Sequence, residues 1–174
     1  MRDFPEVVWP LLGQAIVSDR KKAWRFELLL GDKFAFDDAQ RPSLLFLPED
    51  VLFAWCHAYP DTAPAFTAGI VPLLTNRNPN DAGRTLHPTA KRLLNQFGDR
   101  PDVLNAFTRN LHNFGWSGSL ANYFALYDSP LSELHAHKLG AVRRWADKTR
   151  SHLRDAAAAA HNEDEERDAL SGRA

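Results

Sequence analysis

The sequence predicts an all-α protein, and three observations carry that prediction. Apolar residues recur at spacings of three and four along most of the chain and almost nowhere alternate with period two. Segments with that spacing open on proline followed by an acid, at Pro5-Glu6, Pro48-Glu49-Asp50 and Pro101-Asp102. Proline at a first helical position forfeits no hydrogen bond, and a carboxylate there favours the helix dipole. The stops are glycines: Gly31, Gly98 and Gly115 each follow an apolar face.

In chain order, the first helix spans 5–17, with Val7, Val8, Leu11, Leu12 and Ala15 making one face, and a second spans 19–30. Residues 32–47 form a long connection whose Phe34, Phe36, Leu44, Leu45 and Phe46 are apolar enough to fold back onto the helices. Helices follow at 48–59, with Leu52, Trp55, Cys56 and Tyr59 on one face, and at 62–74. The stretch 76–87 is polar and rich in Asn, Gly and Pro, the composition of a loop. Beyond it come helices at 88–97, 101–114 (Val103, Leu104, Phe107 and Leu111), 118–127, 130–137 and 140–160. Neither connection reads as a domain linker. The expected organisation is one helical-repeat domain over 1–160 and an acidic, frayed or disordered tail over 161–174.

Composition narrows the function classes. The chain has 174 residues, 44% hydrophobic and 25% charged, so a disordered or collagen-like chain is excluded. A single cysteine allows no intrachain disulfide, no apolar leader follows Met1, and the uncharged apolar stretch near the middle, Thr62–Asn76, is too short to span a membrane and carries Pro64 and Pro72. The expected location is therefore the reducing cytoplasm, without membrane contact.

The near-neutral total conceals a local polarity. Between Lys138 and Arg154, six bases stand against one acid, a net +5; between Asp155 and Asp168, six acids stand against one base, a net −5. Ala156–Ala160, five strong helix formers in a row, join the two blocks.

Short helices in antiparallel pairs suggest a solenoid, and three segments share a local pattern. They are Asp19-x3-Ala23-Trp24-Arg25-x2-Leu28-x-Leu30-Gly31-Asp32, Thr89-Ala90-Lys91-x2-Leu94-x2-Phe97-Gly98-Asp99, and Ala141-Val142-Arg143-x2-Ala146. On these residues the chain resembles the HEAT-repeat family. The resemblance implies a short, irregular α-solenoid in which an Asp and an Arg, here Asp19 and Arg25, bond between adjacent repeats. Lys91 departs from the family pattern by replacing the arginine, and the spacings of 66 residues from Arg25 to Lys91 and 52 from Lys91 to Arg143 are longer than one repeat.

A second resemblance covers about half of the chain. Phe97-Gly98-Asp99-Arg100-x-Asp102-Val103, Gly115-Trp116-Ser117-Gly118-Ser119, Tyr123 and Val142-Arg143-Arg144-Trp145, followed by the acidic tail, make the segment 86–166 similar to a C-terminal module of large bacterial phage-defence and STAND-type NTPases. It implies a sensing, scaffold or oligomer-contact part. The nucleotide-binding sequence GxxxxGK[ST] is absent from this chain.

No catalytic constellation stands out. Cys56 lies on an apolar face where an inert thiol is expected, and no GxSxG elbow occurs. His135 and His137, near His152, are two positions apart, about 200° around a helix, and so cannot share one helical face as zinc ligands. Asp37-Asp38 and Glu49-Asp50 sit in a loop and a first helical turn. Ser117 or Ser119 is placed to cap the next helix, and Trp24, Trp55, Trp116 and Trp145 are expected in the core. No enzyme activity, cofactor or metal is expected.

The expected function is a non-catalytic interaction module for a protein partner, with Arg143, Arg144 and Lys148 as the contact residues. The alternative is nucleic-acid binding along the basic stripe 138–154, because Arg143, Arg150 and Arg154 can share one helix side.

Overall fold

The computed structural model describes residues 5–19, 21, 23–31, 42–75, 84–111 and 119–170, without the side chains at 5–6, 163 and 165–170. The described chain is all-α; its one β-type feature is an isolated bridge between Leu74 and Leu86. It forms two compact units, Met1–Leu73 with His87–Phe114, and Leu74–Leu86 with Gly115–Ala174.

The first unit holds helices α1 (Pro5–Ser18), α2 (Ala23–Leu30), α3 (Glu49–Ala58), α4 (Ala63–Ala68), α5 (Pro88–Phe97) and α6 (Pro101–Leu111). Its core centres on α4, where Ala63, Pro64, Phe66, Thr67 and Ala68 are all buried. This helix packs on α3, α5 and most extensively on α6, which contributes the buried Val103, Leu104, Ala106, Phe107 and Leu111. The helix expected over 62–74 ends at Ala68: Gly69 follows, Pro72 has no N–H to continue it, and the chain turns into the bridge at Leu74. Asn110 fastens this exit, its Nδ2 donating to Val71 O at 2.8 Å and to Ala68 O at 3.3 Å. In the connection before α3, Ser43–Phe46 form a 3-10 turn in which Leu44 and Leu45 are buried as the packed-back reading expected, whereas Phe46, expected to pack back with them, is exposed, and Leu47 is buried in its place. Phe34, Phe36 and the stretch 76–83 lie outside the described residues.

Aromatic packing joins α1, α3 and α4. Trp9 and Trp55 meet edge to face at 5.0 Å, and Trp55 meets Phe66 at 5.9 Å. Gly13 makes the approach possible, because a Cβ there would stand 2.9 Å from Trp55 Nε1. Trp24 corrects the expectation of a core residue. It is 55% exposed, and α2 buries Leu30 instead, six positions on and therefore on a different side of the helix.

The second unit holds α7 (Leu120–Ala125), α8 (Asp128–Glu133), a 3-10 turn Leu134–Ala136, and α9 (Gly140–Leu170). Ser119 caps α7, accepting from Asn122 N–H at 3.4 Å; Ser117 and Trp116 lie outside the described residues. The helix expected from 130 begins at Asp128, so that Pro130 sits in its first turn, where no intrahelical N–H is required. Along α9, Val142, Ala146, Thr149, Leu153 and Ala160 form the buried stripe, packed against α7, α8 and the 3-10 turn. The helix expected to stop near 160 continues through 161–170. The alanine run and the Glu, Arg and Leu residues beyond it are good helix formers and contain no breaker.

Candidate functional site

The basic block of α9 is not a uniform charged face. Opposite its buried stripe, Arg144, Lys148, Ser151, Asp155 and Asn162 are exposed at spacings that keep them on one side of the helix. Arg143, Arg150 and Arg154 occupy another side, as their spacing of seven and four implies, but all three are turned to groups of their own unit. Arg143 Nη1 donates to the carbonyls of His137 at 2.6 Å and Lys138 at 3.2 Å, closing the turn before α9. Arg150 grips the Asp128 carboxylate with Nε at 2.7 Å and Nη2 at 2.9 Å. Arg154 binds the same carboxylate with Nε and with Nη2 at 3.1 Å.

Two guanidinium groups on one carboxylate hold Asp128 well below the usual carboxylate range, through the hydrogen bonds of Arg150 first and Arg154 second. The network extends to His135, whose Nε2 lies 3.1 Å from Arg150 Nη1 and whose Nδ1 lies 2.8 Å from Asp147 Oδ1. Arginine only donates, so Nε2 is the acceptor and the Nδ1–H points at Asp147. Beside the clamp, a cavity of about 270 Å³ is walled by Phe124, Ala125, Leu131, Leu153 and Ala157. The arginines expected to attract phosphates therefore anchor α8 to α9.

Of the three expected contact residues, Arg143 and Arg144 converge. Their guanidinium nitrogens lie 3.5 and 3.3 Å from the point where a Cβ of Gly140 would stand. Lys148 is one turn beyond Arg144 on the same exposed side. Arg25, expected to bond between repeats, has its guanidinium 5.5 Å from the Trp24 ring centroid, and Asp19 Oδ1 accepts from Lys21 N–H at 3.1 Å.

The first unit presents a surface of opposite character. On α1, Trp9, Gly13 and Ile16 are buried, whereas Val7 and Leu11, one turn apart, are 70% and 74% exposed. The outward line turns polar only at Gln14 and Ser18, which bond each other at 3.1 Å. Sequence reading placed Val7 and Leu11 on a packed face. The helix is apolar on both sides, so periodicity alone could not say which side is covered.

The remaining chemical candidates have structural partners. Cys56 is buried beside Thr67, its Sγ 3.5 Å from Oγ1, and burial pushes its thiol up to about 11 against the smaller lowering effect of that contact. Such a thiol is a poor nucleophile at neutral pH. Glu49 and Asp50 both accept from Arg92 Nη1, at 3.0 and 3.1 Å, tying α3 to α5, and the guanidinium sits 4.1 Å from the Phe53 ring centroid. His137 Nδ1 accepts from Leu139 N–H at 3.1 Å, and burial first, with Lys138 and Arg143 nearby, lowers its pKa. Among the described residues, no group of three or more His, Cys, Asp or Glu side chains could hold a metal ion, and no helix is long and apolar enough to cross a membrane. No family model matches the chain, and no curated protein and no solved structure is significantly similar to it.

Proposed function

We propose that the chain is a non-catalytic helical module that binds a protein partner. The observation that carries this reading is the outward line of α1, where two aliphatic side chains on successive turns stand in solvent on a helix apolar on both sides. Exposed aliphatic surface of that kind suits an apolar protein surface and offers nothing to a phosphate backbone. The paired guanidinium groups of Arg143 and Arg144, with Lys148, supply a second, cationic contact region.

The finer terms of the proposal draw on the resemblances. The short helices form an irregular HEAT-like solenoid of antiparallel pairs, and the module serves a bacterial defence or signalling assembly in the cytoplasm. Nucleic-acid binding is the weaker reading, because Arg150 and Arg154 are committed to Asp128.

Capture from a native extract tests the proposal, with three baits compared: the unaltered chain, V7E/L11E and R143E/R144E/K148E. A stoichiometric protein partner is expected on the unaltered bait, with recovery falling at least about tenfold on one of the variants; because Arg143 also closes the turn before α9, R144E/K148E replaces the triple variant if the latter unfolds at a lower temperature. Equal recovery on all three baits would overturn both contact regions. Filter binding of DNA and RNA over a salt series decides the weaker reading, since phosphate contacts impose a steep salt slope.

A further inference from the structure

We propose that the cavity between α7, α8 and α9 binds a small aliphatic carboxylate, its tail among the apolar walls and its head group on Arg154 at the mouth. The inference is independent of the protein-binding reading and concerns a separate site.

The walls set the apolar part. Leu131 of α8 and Leu153 of α9 are buried, Phe124 of α7 is half-buried, and all three line a space of about 270 Å³. The space exists because α7 and α9 present Ala125 and Ala157 there, whose side chains are too short to fill the seam. Protein interiors are packed as densely as organic crystals, and atoms lining a void forfeit dispersion contacts on that side. An apolar occupant restores those contacts, and an apolar cavity of about 150 Å³ already suffices for benzene. With about 30 Å³ for each non-hydrogen atom, as in liquid water, this space admits on the order of nine.

The mouth sets the charge. Ala125 and Arg154 are exposed members of the lining, so the cavity opens on their side. Two guanidinium groups and one carboxylate line it, a surplus of one positive charge. Both oxygens of Asp128 are already occupied: Oδ1 accepts from Nε of each arginine, and Oδ2 from Nη2 of each. Arg150 also sets Nη1 against His135 and is 23% exposed. Arg154 is 59% exposed, and among the described residues its Nη1 has no hydrogen-bond partner. A carboxylate complements that open edge, because charge-assisted bonds to a guanidinium are stronger than neutral ones. One such edge serves a single carboxylate, whereas a nucleic-acid backbone needs a row of them.

Isothermal titration calorimetry on the whole chain tests this with octanoate, 1-octanol and octylamine, which share a tail and differ in head group. Octanoate should bind one per chain with a Kd of about 0.1–1 mM, the range for about ten atoms at ordinary ligand efficiency. 1-Octanol should bind at least about tenfold more weakly, and octylamine not measurably. A157L sets a leucine into the space and should abolish octanoate binding while thermal unfolding stays unchanged or rises. If A157L unfolds at a lower temperature, A157M, a more flexible filler, replaces it and should weaken octanoate at least about tenfold. R154Q should remove the preference for octanoate over 1-octanol, and R154K should retain it, both measured where circular dichroism shows the variant folded.

No saturable octanoate binding would overturn the inference, as would equal binding of octanoate and 1-octanol. Undiminished binding by the filled variant would also overturn it, since that puts the tail elsewhere, as on the exposed residues of α1. A preference that survives in R154Q would remove Arg154 from the site and overturn the assignment.

Discussion

Replacing Phe107 with alanine is expected to destabilise the chain by about 3–5 kcal/mol, the range for removing a buried aromatic ring and leaving its space partly unfilled. Phe107 has no exposed surface and sits on α6, the helix that packs most extensively against α4. Asn110, on the same helix, ties α6 to the end of α4 through its contacts to Ala68 O and Val71 O, which limits how far the two helices can close up. Collapse into the vacated space is therefore costly. Thermal unfolding followed by circular dichroism should show a fall of roughly 2–4 °C for each kcal/mol lost. Leu29→Ala is the control: Leu29 is 68% exposed, and its loss should stay within about 0.5 kcal/mol. Equal effects of the two substitutions would contradict the placement of the core around α4 and α6.

The second prediction concerns the clamp on Asp128. Asp128→Asn should cost about 1–2 kcal/mol, at the low end for charged hydrogen bonds because the carboxylate is a third exposed and water screens it. The pH dependence gives a sharper signature. The folded-state carboxyl is held below its ordinary value, so its contribution is complete above the ordinary pKa of about 3.9 and is lost as pH falls towards the folded value. The stability difference between the unaltered chain and D128N should thus be constant from neutral pH to about 5 and shrink below it. Other paired carboxylates, such as Asp102 with Arg100, are common to both proteins and cancel in the difference. Parallel stability curves down to about pH 3 would show that the clamp contributes nothing.

Much of the helix layout was legible in the sequence because its signals are local. Pro48-Glu49 and Pro101-Asp102 mark the starts of α3 and α6 within a residue, and Gly98 marks the end of α5. The extent of α4 was misread because the apolar run through Leu74 resembles a continuing helix, although Gly69 and Pro72 within it break one. The clamp was not legible. Asp128 lies 22 and 26 residues from its two arginines, and no local pattern distinguishes an arginine awaiting a phosphate from one already holding a carboxylate. The same limit applies to α1 and to Trp24. Spacing shows that a helix has an apolar face, but which apolar side is covered depends on helices elsewhere in the chain. The local polarity was visible as charge arithmetic, and the structure added that one helix, α9, carries the basic block from Arg143 onward together with the acidic block.

The central claim is that this chain works by contact with protein. Its most direct test is amide hydrogen exchange on the captured complex, compared with the isolated chain. The account predicts slowed exchange concentrated in α1, in the first half of α9, or in both, with the interior of the first unit unchanged. Protection confined to other segments, with α1 and α9 exchanging as they do in the isolated chain, would contradict it.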